Sequence, residues 1–233
     1  MSVRLLLIRH GLVDFGSREF TVSPRGRQFD PPLSEKGREQ ARRLAARLTL
    51  MDPPAVLATS PFRRCLETIA PFLDATGVQA EPVDDLGEVF IGRWEGLSFE
   101  EIVSGDERML ERFREQDPVF AHAPGGESGR ELRARVVPAV EALLERVDDG
   151  VAVVMAHGGV INAYLGQIMG IDHDMFFLPD NASINSVLVE GSRREVRFLN
   201  DVRHLTEPAL FAPPAGVGEH AGSKAGSPGE AHE

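Results

Sequence analysis

Two stretches of this sequence run an apolar segment straight into groups that are costly to bury. Leu5-Leu6-Leu7-Ile8 leads into Arg9-His10-Gly11, and Val151 to Ala156 leads into His157-Gly158-Gly159. Two further stretches add charge in similar settings. Thr59-Ser60-Pro61-Phe62-Arg63-Arg64 follows the apolar Ala55–Ala58. Leu86-Gly87-Glu88 precedes Gly92-Arg93-Trp94-Glu95-Gly96, a glycine-rich loop holding carboxylates. Imidazoles, arginines and a carboxylate gathered at one place would bind an anion and move protons. Two histidines and a carboxylate could also form a facial triad for iron or zinc. Arg9 and Arg64 argue against that, since fixed cations repel a divalent metal.

The elements that must position these residues can be read from periodicity. Val3–Ile8, Ala55–Ala58 and Val151–Ala156 are short apolar runs that predict buried strands. Ser34 caps a helix whose Ala41, Leu44, Ala45 and Leu48 share one face. A second helix follows Pro61 toward Gly77, with Pro71 expected to kink or end it. Val78–Val83 reads as an edge strand. Ser98 with Glu101 forms a capping box, and Ser128–Val147 reads as an amphipathic helix. A helix starts after His157, and its free N–H groups favour an anion. Ile184–Glu190 and Glu195–Leu199 read as a hairpin turning at Gly191-Ser192. Strands alternate with helices, which predicts a three-layer α/β/α sandwich around a mostly parallel sheet. In such sheets ligands bind beyond the carboxyl ends of the strands, where both histidines then stand.

Composition narrows the classes. Over 233 residues, 42% hydrophobic and 26% charged is ordinary for a globular chain. The net charge of −11 makes a nucleic-acid or anionic-membrane partner a poor fit. No apolar segment approaches the length of a membrane span. One cysteine, Cys65, fits a reducing, cytoplasmic compartment and reads as an apolar filler on a helix. From Thr206 onward Pro, Gly, Ala, Ser and Glu dominate. One domain over residues 1–205 and a disordered tail over 206–233 are expected. Gly216-Val217-Gly218 in that tail lacks the preceding strand that a dinucleotide loop requires.

Together these motifs make the chain resemble the histidine phosphatase superfamily, in its phosphoglycerate mutase-like branch. Arg9-His10-Gly11 matches the signature, and Ser60 to Thr68 matches the second arginine block as S-x-x-x-R-x-x-x-T. Leu86-x-Glu88 with Trp94-Glu95-Gly96 matches the acid loop, Gly126-Glu127-Ser128 a further element, and His157-Gly158 the second histidine block. The resemblance implies that His10 is a nucleophile that becomes a phosphohistidine. Glu88 would be the general acid and base. Arg9, Gly11, Arg64, His157 and Gly158 would surround the phosphoryl group, with His157 counted among the catalytic residues as well, and with no metal and no cofactor. The substrate would be a small phosphorylated molecule.

The pattern also departs from the family. Leu12 stands where an acidic or amide residue usually follows the glycine. Gly16 occupies the place of a phosphate-binding asparagine, for which Asn162 is a tempting substitute. The segment before Asp30 is long and carries Arg18, Arg25 and Arg27. Hydrolysis of a phosphomonoester is the first reading. The alternative is mutase-type transfer, but only residues 97–126, thirty in all, separate Gly96 from Glu127. A lid that short has less structure with which to exclude water. A non-catalytic phospho-binding module is a further alternative, against which the nucleophile and the acid are both present.

Overall fold

A computed structural model describes residues 2–105, 108, 109, 111 and 122–211. A six-stranded sheet forms its middle layer. Its strands are β1 (Val3–Arg9), β4 (Val56–Thr59), β5 (Glu81–Pro82), β6 (Gly150–Ala156), β7 (Ile184–Glu190) and β8 (Arg193–Asp201). Their spatial order is β5-β4-β6-β1-β7-β8. The first four strands of that order run parallel, whereas β7 and β8 are antiparallel. Outside the sheet, β2 (Phe20–Ser23) and β3 (Gly26–Phe29) form a separate hairpin.

The period-2 geometry of a strand explains the layers. Along β1, Leu5 and Leu7 enter one core while Leu6 and Ile8 enter the other, all fully buried. The first core is closed by α4 (Gly129–Leu144) and α5 (Gly158–Met169), through Val136, Val140 and Tyr164. The second is closed by α1 (Glu35–Thr49) and α2 (Arg63–Thr76), through Leu44, Ile69 and Phe72. The three-layer sandwich is therefore present. Removing one of these leucines to alanine costs about 2–5 kcal/mol in comparable cores.

Local expectations fare unevenly. Ser34 accepts from Gly37 N to cap α1, and the expected box at Ser98–Glu101 is closed, while the structure adds a second box at Ser128–Glu131. α3 (Phe99–Gly105) starts at the first of them. The β7–β8 hairpin turns at Gly191, whose φ of 55° suits glycine. Pro71 does not end α2. The helix runs through it to Thr76, because Ile69 and Phe72 on either side are buried against the sheet. The edge strand is shorter than expected, only Glu81–Pro82.

Regular structure also passes the boundary at residue 206. After α6 (Arg203–Thr206), Pro208–Phe211 form a 3-10 turn, and Arg47 lies 4.9 Å over the Phe211 ring. The rest of the expected tail, including Gly216-Val217-Gly218, lies outside the described residues. No helix of the described residues is long and apolar enough to cross a membrane.

Candidate active site

Strand register brings the two histidines together. Arg9 on β1 pairs with Ala156 on β6, so the residues that follow, His10 and His157, emerge side by side. Their rings sit 5.2 Å apart, edge to face. On the other side of β6, Thr59 pairs with Met155, which sets Ser60 beside His157. Here Ser60 Oγ lies 2.7 Å from His157 Nε2.

The backbone of His10 is held on both sides. Its N–H donates to Ala156 O at 3.0 Å, and its carbonyl accepts from Ala182 N and Asn181 Nδ2 at 3.1 Å each. Ala182 takes a left-handed φ of 59° to do so while fully buried, a conformation that costs of order 1 kcal/mol or more. The ring is fixed as well. His10 Nδ1 lies 2.8 Å from Gly11 O, and a carbonyl only accepts, so Nδ1 carries the proton. Nε2 keeps its lone pair. Burial, then the nearby Arg64 and Arg9, hold the His10 pKa well below 6.5, so the imidazole is neutral at pH 7.

His157 is neutral for similar reasons, with burial the largest cause and Arg64 next. Arg64 Nε donates to its Nδ1 at 3.2 Å, so its proton is on Nε2 and points to Ser60. Its ring has no exposed surface. It stands behind Arg64 rather than in the cavity wall. Arg64 itself is clamped by the Phe29 carbonyl at 3.0 Å and Asp30 Oδ1 at 3.1 Å, with Phe62 beneath. The S-x-x-x-R-x-x-x-T pattern now has a physical reading. Ser60 orients His157, Arg64 faces the site, and Thr68 Oγ1 accepts from Gly11 N at 2.9 Å.

Glu88 occupies the start of α5. Its carboxylate accepts from Gly159 N at 3.1 Å and from Val89 N at 2.9 Å, two donors that fix where it points. A β-carbon on Gly159 would come within 2.4 Å of Glu88 Oε1, so the glycine is what admits the carboxylate. Arg9 donates to Pro179 O through Nη1, while its buried Nε has no partner. Burial lowers the Arg9 pKa, and Glu88 opposes the change. Arg9, His10, Arg64 and Glu88 all line one cavity of about 580 Å³.

Several expected contributions change. Gly11 has its N–H taken by Thr68, and a β-carbon there would stand 2.9 Å from Gly37 O, so close packing requires a glycine at this position. Gly158 is the first residue of α5 and is buried. Asn162 does not replace the missing amide. It is buried, donating to Gly158 O and Phe177 O and accepting from Phe177 N, which fastens the loop ahead of β7.

Of the arginines before Asp30, Arg18 ahead of the β2–β3 hairpin and Arg25 in its turn reach the acid loop. Arg25 donates to Asp84 O, and Arg18 to Gly96 O. Arg27 stacks 4.0 Å over Phe20. Pro24-Arg25-Gly26 was the available turn signal for this hairpin. Trp94 lines a different cavity, with Ile102 and Pro124. Sequence reasoning missed Asp30, Asn181 and Ala182, whose partners lie far along the chain. It also missed Arg135, which donates to Asp85 O, Gly87 O and Glu88 O and pairs with Glu127. Among the described residues, no three His, Cys, Asp or Glu side chains converge as a metal-binding set.

Comparison with known proteins gives this geometry a context. The model of the histidine phosphatase superfamily (branch 1) matches residues 5–202. Phosphoserine phosphatase 1 of Hydrogenobacter thermophilus is 31% identical over 212 residues, 88% of this chain and 95% of that protein. A glucosyl-3-phosphoglycerate phosphatase of Mycolicibacterium vanbaalenii is 30% identical, covering 73% of this chain and 76% of its own. The solved structure of Bacillus stearothermophilus YhfR superposes with a TM-score of 0.75 at 26% identity, over 87% of this chain and 98% of that one.

Proposed function

Because this chain belongs to the histidine phosphatase superfamily, branch 1, we propose that it hydrolyses small phosphomonoesters through a phosphohistidine at His10. One observation carries this reading. The unprotonated Nε2 of a neutral His10 is the ring nitrogen left for a cavity whose charged lining includes Arg9, Arg64 and Glu88.

Phosphoryl transfer asks mainly for aim and for positive charge around the equatorial oxygens. The fixed tautomer supplies the aim, and the two guanidinium groups supply the charge. His10 Nε2 attacks phosphorus as the P–O bond to the alcohol breaks. Protonated Glu88 gives its proton to the departing oxygen. A water then attacks the phosphorus, Glu88 takes a proton from it, and the P–N bond breaks. Phosphate leaves and His10 returns to its starting form. Arg64 binds the phosphoryl oxygens with His157 and Asp30 holding it from behind. His157 thereby acts as a positioning residue.

Hydrolysis is favoured over return of the phosphoryl group to substrate. The two relatives carry phosphatase names, and the segment over residues 97–126 is short. Their named substrates suggest the size class, a small phosphorylated molecule rather than nucleic acid. The buried free thiol of Cys65 and the acidic charge fit a cytoplasmic location. We take residues 1–205 as the catalytic domain, with the 208–211 turn packed onto it.

His10→Ala tests the mechanism. The fold is expected to survive, because the ring contributes to the site rather than to either core. kcat/KM on phosphomonoesters should fall by at least about 10³, and rapid-quench mass spectrometry of the wild type should find phosphate on the peptide holding His10. A His10→Ala enzyme with most of its activity intact would overturn the reading.

A further inference from the structure

Arg9, His10, Arg64 and Glu88 account for one end of the cavity but not for the rest of it. Most of the remaining lining is apolar, including Val13, Phe15, Phe29, Ile91, Leu97 and Leu178. Three of these are large side chains left open to solvent: Phe15 is 70% exposed, Leu97 42% and Leu178 78%. Large apolar groups scattered singly on a surface mean little. Grouped around one cavity, they mark a surface built to be covered. These three come from separate loops, after β1, ahead of α3 and ahead of β7, so sequence proximity does not explain the grouping.

The polar groups in the same wall already have partners inside the protein. Gln28 donates to Glu88 O at 3.2 Å and accepts from Ser23 Oγ at 2.6 Å. Asn181 Nδ2 donates to His10 O. The Glu95 oxygens accept from Phe29 N and Ile91 N, and burial raises that carboxyl's pKa. Among the described residues, the arginines lining the cavity are Arg9 and Arg64, and no lysine lines it. Once these two face a phosphoryl group, a second anion on the substrate meets no further cation among the described lining residues and lies near Glu88 and Glu95. Stripping that anion of water without a partner is unfavourable.

We propose that the alcohol released by this enzyme is apolar, an alkyl or aryl group held against Phe15, Leu97 and Leu178. The inference rests on the hydrolase reading of the same site and adds the substrate class. The site then discriminates at two ends. The cationic end takes the phosphoryl group, and the apolar wall selects alcohols without a carboxylate.

Ethyl phosphate, n-hexyl phosphate and O-phosphoserine test this, because all three release a primary alkoxide and differ in what the wall must accept. kcat/KM should be at least about tenfold higher for n-hexyl than for ethyl phosphate, as partial burial of four extra methylenes requires. Phosphoserine should rank below n-hexyl phosphate. Phe15→Ser and Leu178→Ser alter side chains that are already exposed, so folding is expected to persist. Each should shrink the hexyl-to-ethyl ratio severalfold, chiefly through KM. Turnover that depends on His10 but ranks phosphoserine level with or above n-hexyl phosphate overturns the apolar subsite alone. A ratio unmoved by both variants does the same. Turnover that persists in His10→Ala, or no turnover of any of the three, overturns the hydrolase reading and this inference with it.

Discussion

At the scale of single residues, the site depends on which hydrogens and which carbons are missing. Gly159 is the clearest case. Its N–H serves Glu88, and its lack of a side chain leaves room for that carboxylate, which a β-carbon would approach to 2.4 Å. Gly159→Ala is therefore expected to push Glu88 off its donor while leaving both cores intact. kcat should drop by about 10²-fold, the loss typical when a positioned proton donor is misplaced. Thermal unfolding should move by only a few degrees. A variant with wild-type kcat would show that the carboxylate need not sit at the start of α5. The glycine was visible in the sequence as part of His157-Gly158-Gly159. Its partner was not, because seventy-one positions separate it from Glu88.

At the scale of elements, the acid loop has almost no regular structure of its own. It is a 3-10 turn over Asp84–Leu86, irregular chain, and a second 3-10 turn over Gly92–Trp94. What fixes it is a side chain from α4. Arg135 reaches Asp85 O at 2.6 Å, Gly87 O at 2.9 Å and Glu88 O at 3.2 Å, and its fork closes on Glu127 at 2.6 and 2.8 Å. Both partners of that ion pair are about nine-tenths buried. Arg135→Met leaves the Glu127 charge buried and alone, so about 3–5 kcal/mol of stability should be lost. Adding Glu127→Gln should recover part of it. The positioning role has a separate signature. Folded Arg135→Met should keep KM near wild type while kcat falls, because the acid is misaimed and the phosphate-binding arginines are untouched. A kcat that only follows the folded fraction would reduce Arg135 to a structural part.

At the scale of the whole molecule, the fold keeps imidazoles neutral inside a body of net negative charge. His10 and His157 both have pKa values held well below 6.5, mainly by burial, and His204 is lowered to about 4 for the same reason. A base whose pKa is lower in the folded than in the unfolded state binds fewer protons when folded. Its stabilising contribution is complete above pH 6.5 and is lost as pH falls from there toward the folded value. Each fully buried histidine steepens that loss by about 1.4 kcal/mol per pH unit. Urea midpoints should hence fall between pH 7 and pH 5, and His10→Ala should flatten the fall. Equal midpoints at the two pH values would contradict the neutral, buried state of these rings. The acid limb of kcat/KM should likewise lie below 6.5.

The sequence by itself determined the chemistry present and the ends of the strands that present it. Apolar runs short enough to be buried strands, each followed by histidine and glycine, were sufficient to locate His10 and His157 and to anticipate the three layers. The arginine block and the acid loop were also legible, because their spacing is local. Tertiary structure alone decided how these pieces meet. Parallel register made the two histidines neighbours, and it placed His157 behind Arg64 rather than in the open wall. Packing gave Asn162 and Gly11 structural duties, turned Arg18 and Arg25 toward the acid loop, and gathered Phe15, Leu97 and Leu178 around one cavity. The physical reason is the same in each case: a residue's type and periodicity are written locally, whereas its hydrogen-bond partner is chosen by whichever distant segment the assembled sheet brings within about 3 Å.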